Sequence, residues 1–147
     1  MALILPLARS DQSQGESMMM KRVAVAAVTA LLVFSGANAY AYGTKSTSLS
    51  NGRLYIHADD GCLVSNNCSL YYSATEYKKT GGSRVTIQLA LNTGSGLFFD
   101  TQKTAVDGSD IKHSWGGKKK SEVPDCSIAG YMKASTGNYY TPNLSVC

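Results

Sequence analysis

The sequence predicts an all-β fold: a small antiparallel β-sandwich or barrel of about seven strands with two disulfides. Three observations lead there. Apolar and polar residues alternate in short runs, and glycine-rich turns separate the runs. Four cysteines, Cys62, Cys68, Cys126 and Cys147, fall in the same part of the chain.

The strands follow in order. Arg53 to Ala58 places Leu54, Ile56 and Ala58 on one face and Tyr55 and His57 on the other. Side chains on a strand point alternately to opposite faces, so this pattern buries one side and leaves the other to solvent. On that reading His57 is a solvated side chain. Ser69 to Lys79 carries three Tyr and Thr75, good strand formers, and alternates less strictly. Arg84 to Asn92 alternates most clearly, with Val85, Ile87, Leu89 and Leu91 on the buried face. Leu97 to Gln102, Ile111 to Trp115, Ile128 to Ala134 and Tyr139 to Val146 complete the set. His113 shares parity with Ile111 and Trp115, so it is expected to be partly buried and hydrogen-bonded.

Between these runs stand Asp60-Gly61, Thr80-Gly81-Gly82, Asn92-Thr93-Gly94-Ser95-Gly96, Asp107-Gly108, Gly116-Gly117 and Thr136-Gly137-Asn138. Each offers the positive φ that tight hairpins demand. No segment after Gly52 shows the 3.6-residue period and caps of a helix.

The N-terminal region has a different character. Lys21 and Arg22 precede an apolar run of 12 residues, Val23 to Phe34, followed by Ala37-Asn38-Ala39 and Ala39-Tyr40-Ala41. A basic start, a short apolar run and small residues at a cleavage site make a secretory signal. The run is shorter than the roughly 20 residues of a spanning helix, and no later run is long enough to be a second span. Met18-Met19-Met20 stands directly before the basic pair and reads as the translation start. Residues 1–39 are therefore read as a mis-called start plus signal peptide, 40–51 as an extended N-terminal arm, and 52–147 as the β domain. The arm is rich in Ser and Thr and lacks an alternating apolar face. It is expected to pair with a partner rather than with its own sheet.

Export also explains the cysteines. An even count in an exported chain implies disulfides, and the spacing is not that of a zinc site. Of three possible pairings the favoured one is Cys62–Cys68 with Cys126–Cys147. The first braces Leu63 to Asn67, and the second clamps the final residue. Each contributes about 2–4 kcal/mol.

Chemistry is sparse. After Ala39 there are eleven Lys or Arg against eight Asp or Glu, too small an excess for nucleic-acid binding. The two histidines, His57 and His113, have no nucleophile in a strained Gly-flanked elbow beside them, so no catalytic residue is assigned. Asp59-Asp60-Gly61 reads as a turn rather than a Ca²⁺ loop. No metal ligand or cofactor motif is assigned. Asn67-Cys68-Ser69 and Asn143-Leu144-Ser145 match the glycosylation sequon, but the bacterial style of the signal argues against their use. Lys118, Lys119 and Lys120 read as a solvated loop tip, with contact to an anionic surface as the sharper expectation. Tyrosines are plentiful, and Tyr combines a flat apolar body with a hydroxyl that suits interfaces. Tyr40, Tyr42, Tyr55, Tyr131 and Tyr139 are the candidate partner-binding residues. Neighbours on a strand face opposite ways, so one of Tyr71/Tyr72 and one of Tyr139/Tyr140 lies outside the core.

Ala-x-Ala processing, Tyr42-Gly43, Asp60-Gly61-Cys62, Gly130-Tyr131 and Thr141-Pro142 together resemble small exported proteins of filamentous actinobacteria. In size, export and fold type the chain also resembles the small adaptor subunit of umbrella-shaped secreted antibacterial toxin particles. That adaptor joins a lectin-bearing subunit to a toxin stalk. The resemblance implies a secreted, non-catalytic protein-interaction module. Its partner would be another secreted protein or a cell-surface component. The alternative is a secreted inhibitor of an extracellular hydrolase or a small antimicrobial effector, presenting the braced loop Leu63 to Asn67.

Overall fold

A computed structural model of the chain describes residues 42–147. The predicted signal region and Tyr40 lie outside the described residues. The described chain runs β1 (Gly43–Leu49), β2 (Gly52–Asp60), α1 (Gly61–Ser65), β3 (Leu70–Lys79), β4 (Val85–Asn92), β5 (Leu97–Phe99), β6 (Lys103–Ala105), β7 (Asp110–Lys119), a 3-10 turn (Lys120–Glu122), β8 (Ser127–Ala134), β9 (Gly137–Tyr140) and β10 (Leu144–Ser145).

Two antiparallel sheets result. The first has the order β1-β2-β3-β7. The second runs β10-β8-β4-β5, with β6 also pairing β4 and β9 also pairing β8. The sheets do not close into a barrel, so the all-β expectation resolves to a sandwich. Both disulfides form as paired from sequence, Cys62–Cys68 and Cys126–Cys147.

The alternation places the core as expected. Leu54, Ile56 and Ala58 of β2 and Ile87, Leu89 and Leu91 of β4 are all buried. The core has two clusters. One gathers Ile56, Tyr71, Leu91, Val123, Ile128, Leu144 and Val146; the other gathers Leu54, Tyr77, Ile87, Leu89, Ala105 and Met132. Each fully buried aliphatic side chain contributes about 1.5–3 kcal/mol. A polar tie crosses between the sheets. Trp115 Nε1–H donates to Thr75 Oγ1 at 3.0 Å, and the Thr75 hydroxyl donates to the Ala90 carbonyl at 3.0 Å. Thr75 is fully buried, and both of its hydrogen bonds stay inside the protein, which removes the usual cost of a buried hydroxyl.

Four local expectations are corrected. The segment read as a free arm contains a strand: β1 pairs with β2 over seven residues, from Gly43↔Ala58 to Leu49↔Gly52. A hydrophilic edge strand needs no apolar face of its own, because backbone bonds and a neighbouring strand hold it. Asp60-Gly61, read as a hairpin turn, begins helix α1. The Asp60 side chain caps it by accepting the Cys62 amide at 3.0 Å, and Asn66 ends it at φ 56°. Five residues are too few to show helical periodicity. Gly61 is needed there for space, since a Cβ would meet the Asn67 carbonyl oxygen at 2.3 Å.

Gly116-Gly117, also read as a turn, lies within β7. The register jumps from Ser73↔Gly116 to Ala74↔Ser114, so Trp115 is an extra residue. Such a bulge re-aims a side chain, and here it serves the Trp115–Thr75 bond. Gly116 takes φ +68° at the bulge. Finally, Tyr139 to Val146 is two strands, β9 and β10, interrupted at Thr141-Pro142, where Pro has no N–H for a ladder.

Candidate interaction surfaces

The second sheet carries an aromatic row on its outer face. Phe99, Ala90, Tyr131 and Tyr140 stand directly opposite one another across β5, β4, β8 and β9. Their side chains therefore share one side of the sheet. The Phe99 and Tyr131 rings meet edge-on with centroids 5.8 Å apart, and those of Tyr131 and Tyr140 lie 4.6 Å apart. Tyr131 is buried between its neighbours, while Phe99 is 47% and Tyr140 50% exposed. Leu97, two residues from Phe99 on the same face, is also exposed.

The outer face of the first sheet is polar. Thr44, His57 and Glu76 form a chain in which His57 Nδ1 lies 2.9 Å from Thr44 Oγ1, and His57 Nε2 lies 2.8 Å from Glu76 Oε2. Lys78 Nζ contacts Glu76 Oε1 at 2.9 Å and reaches toward Asp110 at 3.5 Å. Burial pushes the His57 pKa down, against the opposing pull of Glu76. The imidazole is therefore neutral near pH 7, donating from Nε2 to Glu76 and accepting from the Thr44 hydroxyl at Nδ1. Burial alone would raise the Glu76 pKa, but the bonds from Lys78 and His57 outweigh it and hold the carboxyl below its usual value.

This corrects the reading of His57 as solvated. It does face away from the core, but Tyr55 stacks beside it at 5.8 Å and Glu76 covers it, so it is buried. Hydroxyl, imidazole and carboxylate stand in the order of a nucleophile, base and orienter. Here the chain joins β1, β2 and β3. His113 is half-buried as expected, with Nδ1 3.1 Å from Asp100 Oδ1 as an ion-pair contact and its ring 4.3 Å from that of Trp115.

The tyrosines named from sequence do not gather at one site. Tyr40 lies outside the described residues. Tyr42 packs against the core, and Lys120 Nζ sits 5.4 Å from its ring centre. Tyr55 belongs to the polar face. Tyr131 is the buried centre of the aromatic row. Tyr139 packs against the second core cluster, and its neighbour Tyr140 is the one that faces outward. Tyr71 is likewise fully buried and Tyr72 half-buried. Strand parity foretold one outward residue per pair, but which one depends on register.

The lysines also separate. Lys118 and Lys119 end β7 and Lys120 opens the 3-10 turn, so they are not a loop tip. Lys118 Nζ lies 3.9 Å from the centre of the Phe98 ring, and Lys120 Nζ donates to Asp60 Oδ1 at 3.1 Å, leaving Lys119 exposed. The three lysines thus stand in three different surroundings. Asp60 is occupied too: the Cys62 amide, then the Lys120 ammonium, hold its carboxyl below the usual range.

Phe98 and Phe99 had no separate signal in the sequence, and for Tyr140 parity left open only whether it or Tyr139 faces outward. Phe98 and Phe99 sit within a run read as an ordinary strand, and only cross-strand register shows what faces them. The braced loop is more legible: Leu63 is 75% and Val64 51% exposed between Cys62 and Cys68. Among the described residues no cluster of three or more His, Cys, Asp or Glu is placed to hold a metal ion, and no helix is long and apolar enough to cross a membrane. No family model, curated protein or solved structure matches the chain.

Proposed function

We propose that the domain is an exported, non-catalytic protein-interaction module that binds a secreted or cell-surface protein through the outer face of its second sheet. The exposed aromatic row carries this reading. Leu97, Phe99 and Tyr140 present apolar surface around the packed Tyr131, and aromatic anchors beside a tightly packed centre are the usual source of interface energy. The two disulfides fit an oxidising compartment. An adaptor subunit in a secreted antibacterial particle is the specific form that the sequence resemblance implies.

Capture from culture supernatant tests it. Immobilised protein retains a stoichiometric secreted partner, and a Phe99→Ser/Tyr140→Ser variant that keeps its circular dichroism loses it. Equal capture by the folded variant places the interface elsewhere.

A second reading has its own observation. Leu63 and Val64 project from helix α1, which the Cys62–Cys68 disulfide braces, and an inhibitor presents its contact residues from such a braced segment. Retention of a single hydrolase that is lost in Leu63→Ser/Val64→Ser, but kept in the aromatic-face variant, favours inhibition over the adaptor role.

A further inference from the structure

The sandwich is open on the side where β7 of one sheet approaches β5 of the other. Register places Lys118 opposite the inward Tyr71, and Phe98 opposite the inward Leu91. Both side chains therefore turn into the gap between the sheets. Thr93 and Ser95 of the β4–β5 turn and Glu122 of the 3-10 turn close it, leaving a cleft of ≈ 220 Å³. Ser95 Oγ donates to the Glu122 carbonyl at 3.0 Å and so fixes the turn against this wall.

The groups around the cleft are unusual in what they lack. Tyr71 is 0% exposed, yet its phenol oxygen has no hydrogen-bond partner among the described residues. A buried polar group without a partner is rare and costs stability. Burial, then the charge of Glu122, pushes the Tyr71 pKa up to about 12, so the phenol remains a proton donor. Lys118 makes no ion pair among the described residues; its ammonium rests on the Phe98 ring, which supplies no oxygen acceptor. Glu122 makes none either. A cation and a carboxylate thus line one cleft without joining each other.

We propose that this cleft binds a small zwitterion with an apolar side chain, the chemistry of a free α-amino acid. Its carboxylate pairs with Lys118 and, by displacing the atoms that close off the Tyr71 oxygen, gives that phenol an acceptor. Its ammonium faces Glu122, and its side chain lies against Phe98. Drug-sized ligands occupy clefts of about 300–1,000 Å³, so this one suits a ligand of one residue. A neutral sugar ring would leave both charges unmatched.

The test uses the disulfide-bonded secreted protein with L-leucine, leucinamide and N-acetyl-leucine, followed by NMR shifts of the Thr93 to Leu97 amides. Leucine is expected to shift these amides saturably. Leucinamide, which lacks the carboxylate, and N-acetyl-leucine, which lacks the ammonium, are each expected to bind about tenfold more weakly, the worth of one charged hydrogen bond. Lys118→Met abolishes the preference for leucine over leucinamide, and Glu122→Gln abolishes the preference over N-acetyl-leucine. Tyr71→Phe keeps the fold and weakens leucine binding. No saturable shift with leucine, or equal binding of leucine and both derivatives, overturns the assignment. So does glucose binding at the same amides more tightly than leucine.

Discussion

The two outer faces of the sandwich differ in what they ask of their surroundings. On the first sheet, Thr44, His57, Glu76, Lys78 and Asp110 bond to one another, and Tyr55 covers the imidazole. These groups find their partners within the chain. On the second sheet, Phe99 and Tyr140 flank a buried Tyr131 and expose about half their surface. Polar groups are satisfied by a few directional bonds, whereas apolar area is satisfied only by cover. Both faces are built from strand residues of ordinary composition. On the first face the polar side chains tie three strands together, while the second keeps apolar area exposed, which is what the proposed interface needs.

Breaking the first face should unfold the domain. Deleting residues 43–49 removes β1, its seven-residue pairing and the Thr44 bond to His57. The melting temperature should fall by more than about 15 °C, the equivalent of roughly 3 kcal/mol for a domain of this size. Thermal denaturation followed by circular dichroism checks it, and an unchanged melt would return the segment to the status of a free arm.

The clamp comes next. Cys126–Cys147 holds Val146 in the core, and the Val146 amide also donates to the Cys126 carbonyl at 2.8 Å. Cys126→Ser/Cys147→Ser should cost about 2–4 kcal/mol in urea unfolding while leaving the aromatic face able to bind.

Within the network, Glu76→Ala removes the bond between the buried His57 Nε2 and Glu76 and should cost about 2 kcal/mol. The network also sets a pH dependence. His57 has a folded pKa below its unfolded value of 6.5, so the unfolded chain takes up the proton first. Stability therefore falls as pH drops through 6.5. The depressed Glu76 acts in the same direction below its ordinary value of 4.5. Melting temperatures measured from pH 7.5 to 5 should decline in the native protein and flatten in His57→Gln.

The smallest effect on stability is expected on the second face. Tyr140→Ser removes a half-exposed ring and should change stability by less than about 1 kcal/mol. Its consequence is expected in partner capture instead. A large loss of stability would make the row part of the fold rather than an interface.

Much of the architecture was legible in the residues. Alternation at Leu54, Ile56 and Ala58 and at Ile87, Leu89 and Leu91 marked the core sides of two strands, because a period of two admits one buried face. The close spacing of Cys62 and Cys68, and the place of Cys147 at the end where a clamp holds a fraying strand, led to both disulfides. The aromatic row was hidden: Phe99 and Tyr131 lie 32 positions apart and meet only because β5 and β8 both pair with β4. The arm was misread because edge strands are held by backbone bonds, which leave no side-chain signature.

By itself, then, the sequence determined most local choices: where the main strands run, which of their faces turns inward, and that Cys62 lies near enough to Cys68 to pair. These depend on neighbours a few positions away, whose spacing along the chain is their spacing in the fold. Tertiary structure alone decided which strands lie side by side. That choice buried His57 beneath Glu76, set Trp115 on a bulge against Thr75, drew Lys118 away from Lys119 and Lys120 to the Phe98 ring, and assembled an exposed aromatic row. Each of these depends on register between distant segments, which is set by packing of the whole sandwich and not by any one stretch of residues.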